Sequence, residues 1–192
     1  MIRRIFTFVA ALAAFASAQP SRTAAQTGEE PAEHRSGGLG FHDIDAPIGG
    51  RWWFAGQKVG LDLGVGYQSN PAPSYSDEHL KTFALAAGIP ITLKSWRQVH
   101  VLFRPGIFYQ SEQVQATSPP AAFDTESEKT IRVTGEIEAE AFLLDNFSVS
   151  ASHGIGWNQF DPGGGADKVT SFGTLGRGFT EVGFHLYLFG GP

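Results

Sequence analysis

The sequence predicts an all-β fold, an eight-stranded antiparallel up-and-down transmembrane β-barrel over residues 39–189, with a short first strand. Three observations carry the prediction. Most of the chain alternates apolar and polar residues at period two, the signature of a strand with two unlike faces. The alternating runs last about 9 to 13 residues, longer than the roughly 5 or 6 usual in soluble sheets and matched to a tilted crossing of hydrocarbon. The second face is mostly Gly, Ala and Ser with scattered charges, as a lumen barely wide enough for side chains requires.

Size and ends frame this barrel. The chain has 192 residues, 42% of them hydrophobic, with a mean hydropathy of -0.11, which suits one domain and is too polar for a helical membrane protein. Arg3 and Arg4 precede an apolar run over 5–15 that ends in Ala16-Ser17-Ala18, so residues 1–18 are expected to be a cleaved signal peptide. A membrane anchor is the alternative, but the run is short of the roughly 20 residues a spanning helix needs. Residues 19–38, rich in Pro, Ala, Ser, Thr and Glu without apolar periodicity, are expected to be a flexible periplasmic leader. No later segment holds 18 consecutive apolar residues, and there is no cysteine, so disulfides and thiolate metal sites are excluded. Formal net charge is -5, and -7 once Arg3 and Arg4 are removed, which leaves no electrostatic footprint for nucleic acid.

The strands follow in order. Leu39 and Phe41 against Gly40 and His42 form the short first strand, and 46–54 the second. In the third, Val59, Leu61, Leu63, Val65 and Tyr67 oppose Gly60, Asp62, Gly64 and Gly66. In the fourth, Phe83, Leu85, Ala87, Ile89, Ile91 and Leu93 oppose Ala84, Ala86, Gly88, Pro90 and Thr92. Val99, Val101, Phe103, Ile107 and Tyr109 face away from His100, Arg104 and Gly106. Ile131, Val133, Ile137, Ala139 and Leu143 face away from Arg132, Thr134, Glu136, Glu138 and Glu140. Phe147, Val149, Ala151, Ile155 and Trp157 oppose Ser148, Ser150, Ser152, Gly154 and Gly156, and Val182, Phe184, Leu186 and Leu188 oppose Glu181, Gly183, His185 and Tyr187. Pro90 and Pro105 each remove a ladder donor, which predicts bulges.

Connections alternate in length: 55–58, 94–98 and 144–146 are tight, while 68–80, 111–130 and 159–178 are long. Barrels of this class turn tightly in the periplasm and loop widely outside. Trp52, Trp53, Tyr67, Trp96, Tyr109, Trp157, Tyr187 and Phe189 sit at strand ends or turns, where an aromatic belt at the water–lipid boundary is expected. Aromatics also close the ends of soluble sandwiches, and soluble sheets alternate too, so a soluble periplasmic β-sandwich or lipocalin-like binder stands as an alternative.

The segments Gly50-Arg51-Trp52-Trp53-Phe54, 59–67 and 182–189 resemble the outer-membrane β-barrel families of the OmpA and opacity-protein type. The resemblance covers roughly 39–189. It implies an outer-membrane location in a Gram-negative-type cell, outer-membrane lipid as surroundings, and recognition of the closing strand by the barrel-assembly machinery. Here a tail, 190–192, follows Phe189, a departure from the terminal aromatic those families present.

By parity, Arg51, Asp62, Arg104, Arg132, Glu136, Glu138, Glu140 and Glu181 point into the lumen. Charges in so narrow a space must pair or hydrate, so a filling network of ion pairs is expected. The competing function is a small pore or transporter whose surplus of carboxylates favours cations. The long connections 68–80 and 111–130 are expected to meet an extracellular ligand, because binding loops are carried on rigid scaffolds. A lipid A deacylase-like hydrolase would need a Ser/His/Glu set. His153 lies on the lipid-facing parity, is followed by Gly154 and Ile155 instead of the His-x-Ser spacing, and would turn inward through a register change at Gly154. An enzyme is therefore not expected. His34, His42, His79, His100 and His185 lack metal-ligand spacing, and 161–167 lacks the full calcium-loop pattern, so no cofactor or metal is expected.

Overall fold

The computed structural model describes residues 36–54, 56–71, 79–115, 125–174 and 179–189, and every regular element among them is a strand. The elements are β1 (Gly37–Phe41), β2 (Ile48–Phe54), β3 (Val59–Pro71), β4 (His79–Gly88), β5 (Ile91–Ser95), β6 (Val99–Gln115), β7 (Thr125–Leu144), β8 (Phe147–Asp161), β9 (Val169–Gly173) and β10 (Thr180–Phe189). The expected signal peptide, residues 19–35 of the leader and the tail 190–192 lie outside the described residues. Gly37 and Gly38, assigned to the leader from sequence, belong to β1. Two adjacent glycines carry no face to read, yet here they pair with Trp52 and Arg51 on one side and with Phe189 and Tyr187 on the other.

Eight strands close an antiparallel ring in the order β1, β2, β3, β4, β6, β7, β8, β10, and β10 returns to β1. A closed ring leaves no strand edge, so every lane finds partners on both sides. Two short strands stand outside this ring. β5 continues the line of β4 beyond Pro90 and pairs with β6, while β9 folds back onto the far end of β8.

The two prolines are accommodated together, and not by a bulge at each. The strand breaks at Ile89-Pro90, and Pro105 lies across from the break. The Pro105 carbonyl accepts Ile89 N–H at 2.9 Å and the Pro90 carbonyl accepts Gly60 N–H at 2.8 Å. On its other side Pro105 pairs with Gly135 in an unbroken β6–β7 register from Val99 to Gln115. The only irregularity nearby falls between Thr92 and Lys94. In an antiparallel ladder a residue's N–H and C=O face one neighbour, so the donor Pro105 lacks is missing where the adjacent strand is already interrupted.

The described parts of the connections predicted at 68–80 and 111–130 are strand. Gln68 to Pro71 pair with Thr82 to His79, and Ser111 to Gln115 pair with Lys129 to Thr125. Above the apolar band both faces of these hairpins are polar, so the period that marks a strand vanishes from the sequence while backbone pairing continues. The turn at 55–58 is sharp because Gly56, at φ 63°, and Gln57, at φ 61°, both take the left-handed conformation. Ser36 and Phe189 lie at the end of the ring that carries the tight turns: Ser36 O accepts Trp53 N–H, and Asn146 O accepts Tyr187 N–H. The connection over 42–47 and the far ends of the β3–β4 and β6–β7 hairpins share the opposite end.

Candidate functional site

The interior is built from one side-chain parity of each strand. Arg51, Asp62, Arg104, Arg132, Glu136, Glu138, Glu140 and Glu181 all lie inside the ring, none more than 6% exposed. They meet because strand register stacks them into rungs. Arg51 on β2 is opposite Asp62 on β3, and Arg104 on β6 is opposite Glu136 on β7. The Arg51 guanidinium donates to Asp62 at 2.7 and 2.9 Å, to Glu138 at 2.9 Å and to Glu140 at 3.0 Å, binding carboxylates from two strands that do not touch in the sheet. Arg104 donates to Asp62 at 2.8 Å and to Glu136 at 3.3 Å, while Arg132 reaches Asp43 at 3.2 Å. Gly88 makes room for this arrangement, since a Cβ there would collide with the Arg104 guanidinium.

Hydroxyls complete the solvation of the carboxylates. Ser148 Oγ donates to Glu140 at 2.6 Å, Ser152 Oγ to Glu136 at 2.7 Å, Thr134 Oγ1 to Glu136 at 2.6 Å and the Tyr187 hydroxyl to Glu140 at 2.8 Å. Each replaces a water the buried charge has lost, which is the condition for keeping ions in a narrow interior. His42, Asp43, Ser148, Ser152 and His185 were not assigned to the network from sequence. Parity already turned His42, His185 and the serines inward; the missing signal is the β1–β2 connection, which folds into the lumen and carries Asp43 with it.

Two residues assigned to the interfacial belt are corrected. Trp53 is 5% exposed and Tyr187 is 0% exposed: both point into the barrel, where Trp53 Nε1 donates to the Tyr187 hydroxyl at 3.1 Å. Position along a strand placed them near a boundary, but parity decides the side they face, and theirs is the parity of Arg51 and His185. With Leu102 and Phe142 they form an apolar cluster that closes the tight-turn end. Trp52, Tyr67, Trp96 and Phe189 do face outward, and Tyr109 and Trp157 are half-buried on the outer parity.

His153 stays on the outer face, with Nδ1 2.7 Å from Thr180 Oγ1; the register of β8 with β7 runs through Gly154 without the change expected there. A different trio meets inside. Ser152 Oγ lies 3.3 Å and Glu136 Oε2 2.8 Å from the same His42 nitrogen, Nε2. In a hydrolase the imidazole takes the serine proton. Here Ser152 gives its hydrogen bond to Glu136, and the cavities beside His42 measure about 10 Å³ each, room for about one water. His42, Asp62 and Glu138 also bring donor atoms within 4.8 Å of one another, a metal-compatible set that sequence spacing did not reveal. Arg51 and Arg104 already hold the oxygens of these carboxylates, so an incoming cation would have to displace guanidinium groups.

Outside, the polarity is reversed. Leu63, Ile107 and Ile137 are 47%, 53% and 53% exposed, and Leu85, Val133, Ile155 and Val182 share their face. The fold and its interior define a closed eight-stranded barrel that is apolar on its outer surface and ionised within. No protein-family model, curated protein or solved structure matches the chain.

Proposed function

We propose that the chain is a small outer-membrane β-barrel protein whose charged lumen is a structural filler and whose working surface is the end carrying the long hairpins. The carrying observation is the inverted polarity: Leu63, Leu85, Ile107 and Ile137 face outward while Glu138 and Glu140 are sealed inside. A water-soluble barrel or sandwich puts those faces the other way, because apolar burial is its main source of stability. The expected signal peptide and the resemblance to OmpA-like and opacity-type barrels support the same reading.

The charged network favours a filler over a pore. Arg51 ties β2 to β3 and to two glutamates of β7, and Trp53, Leu102, Phe142 and Tyr187 close the lumen below it. The test is cell fractionation followed by gel mobility of the outer-membrane pellet with and without heating. The protein is expected in the pellet, with a heat-dependent shift and no conductance in a planar bilayer. Recovery in the soluble periplasm would reject the membrane barrel, and steady conductance would reject the filled lumen.

A further inference from the structure

The network does not fill the whole lumen. Above Arg132, at the end away from the tight turns, the ring opens into a blind cup of about 650 Å³. That volume falls within the roughly 300–1,000 Å³ of small-molecule sites. Its floor is the rung Phe108, Arg132, Asn158 and Ser171, held side by side by the register of β6, β7, β8 and β9. Gln110 and Thr130 form the next rung, and Thr82 and Glu112 the rim.

Space on the β3–β4 side comes from small residues. Gly66 and Ala84 stand directly opposite each other, and the infolded β1–β2 connection rests against Gly66, where a Cβ would strike the Asp45 carbonyl. The floor is sealed: Arg132 lies over the Phe108 ring at 4.4 Å and is held by Asp43, while Phe179 is 6% exposed beside them. Among the described residues the way in is therefore from above.

We propose that this cup binds a small neutral saccharide. The inference rests on the membrane-barrel reading only in that the cup then opens to the cell exterior. The chemistry of the walls argues for hydroxyl groups over ions. Among the polar side chains of the lining, amides and hydroxyls outnumber charges, and each can donate and accept, as a sugar hydroxyl does. Among the described residues no hydrogen bond ties up the side-chain tips of Thr82, Thr130 or Asn158. Asp45 and Glu112 supply acceptors, Arg132, the one cation among the described lining residues, is paired with Asp43, and Phe179 offers an apolar contact for ring C–H groups. Among the described lining residues an anion would meet two carboxylates and an arginine already paired with Asp43.

The test uses the full mature chain refolded in detergent, checked first for its heat-dependent gel shift. Calorimetric titrations are run with glucose, galactose, mannose and lactose, and with spermine as an organic cation. At least one sugar is expected to bind, and Asn158→Leu and Thr130→Val are each expected to weaken it roughly tenfold, the effect of leaving a polar contact unmade, with the gel shift retained. Absence of sugar binding by protein that shows the shift would overturn the cup and leave the barrel reading intact. Binding of spermine alone, or sugar binding indifferent to both variants, would overturn it equally.

Discussion

Arg51 is the side chain on which most of the interior converges. It is fully buried and joins three carboxylates, so Arg51→Met would strand negative charge with no route to water. Removing one partner of a buried pair costs about 3–5 kcal/mol, and a loss of that size is expected in urea unfolding of the detergent-refolded protein. Glu138→Leu leaves Arg51 bound to Asp62 and Glu140, so it should cost only the hydrogen bonds it removes, about 1.5–3 kcal/mol. An equal or reversed ranking of the two variants would mean that the arginine is not the centre of the network. The eight interior charges were legible in the sequence because parity, once a strand is recognised, assigns a side to every residue in it. Trp53 and Tyr187 depart from the interfacial belt for a related reason: distance along the strand puts them near a boundary, while parity sets the side they face.

At the scale of elements, what the sequence conveyed best was the set of strands crossing the apolar band. Val59 to Tyr67 and Phe83 to Leu93 announce themselves because their two faces meet different surroundings. Where both faces meet water, as from Gln68 to Pro71 and from Ser111 to Gln115, pairing is set by the partner strand and the pattern fades. The β1–β2 connection was the hardest element to foresee. Nothing in Asp43-Ile44-Asp45 says that it folds inward, and the reason lies on another strand, in the bare backbone of Gly64 and Gly66. Gly66→Ala should therefore push the connection out of the mouth. A destabilisation of about 1–3 kcal/mol is expected for such overpacking, together with faster proteinase K cleavage between Phe41 and Ile48. Unchanged cleavage would show that the connection is held by something other than this close approach.

For the molecule as a whole, the fold class could be derived from alternation together with strand length and the small residues of the inner face, but the cup could not. It exists because the registers of β6, β7 and β8 set Gln110 and Thr130 on the rung above Asn158, and because small residues lie across from them. The division of labour runs along the barrel axis: an aromatic seal at the tight-turn end, an ionic middle and an open polar mouth. Without β1, the strand β10 would keep only β8, and β2 only β3. Deletion of residues 36–41 should thus abolish the heat-dependent gel shift, whereas a variant that still shows it would mean that β2 can close directly on β10.

The same seam sets an order of events. Because β1 is the first and β10 the last of the described strands, the ring can be completed only after β10 has been made. Every shorter nascent length exposes unpaired strand edges, a state prone to aggregate. Completion also brings together residues as distant in sequence as Gly37 and Phe189, a contact whose loop-closure entropy makes it slow. The earlier strands must therefore stay without their closing partner until β10 is made, and termination upstream of Thr180 would yield a remnant that cannot close this ring.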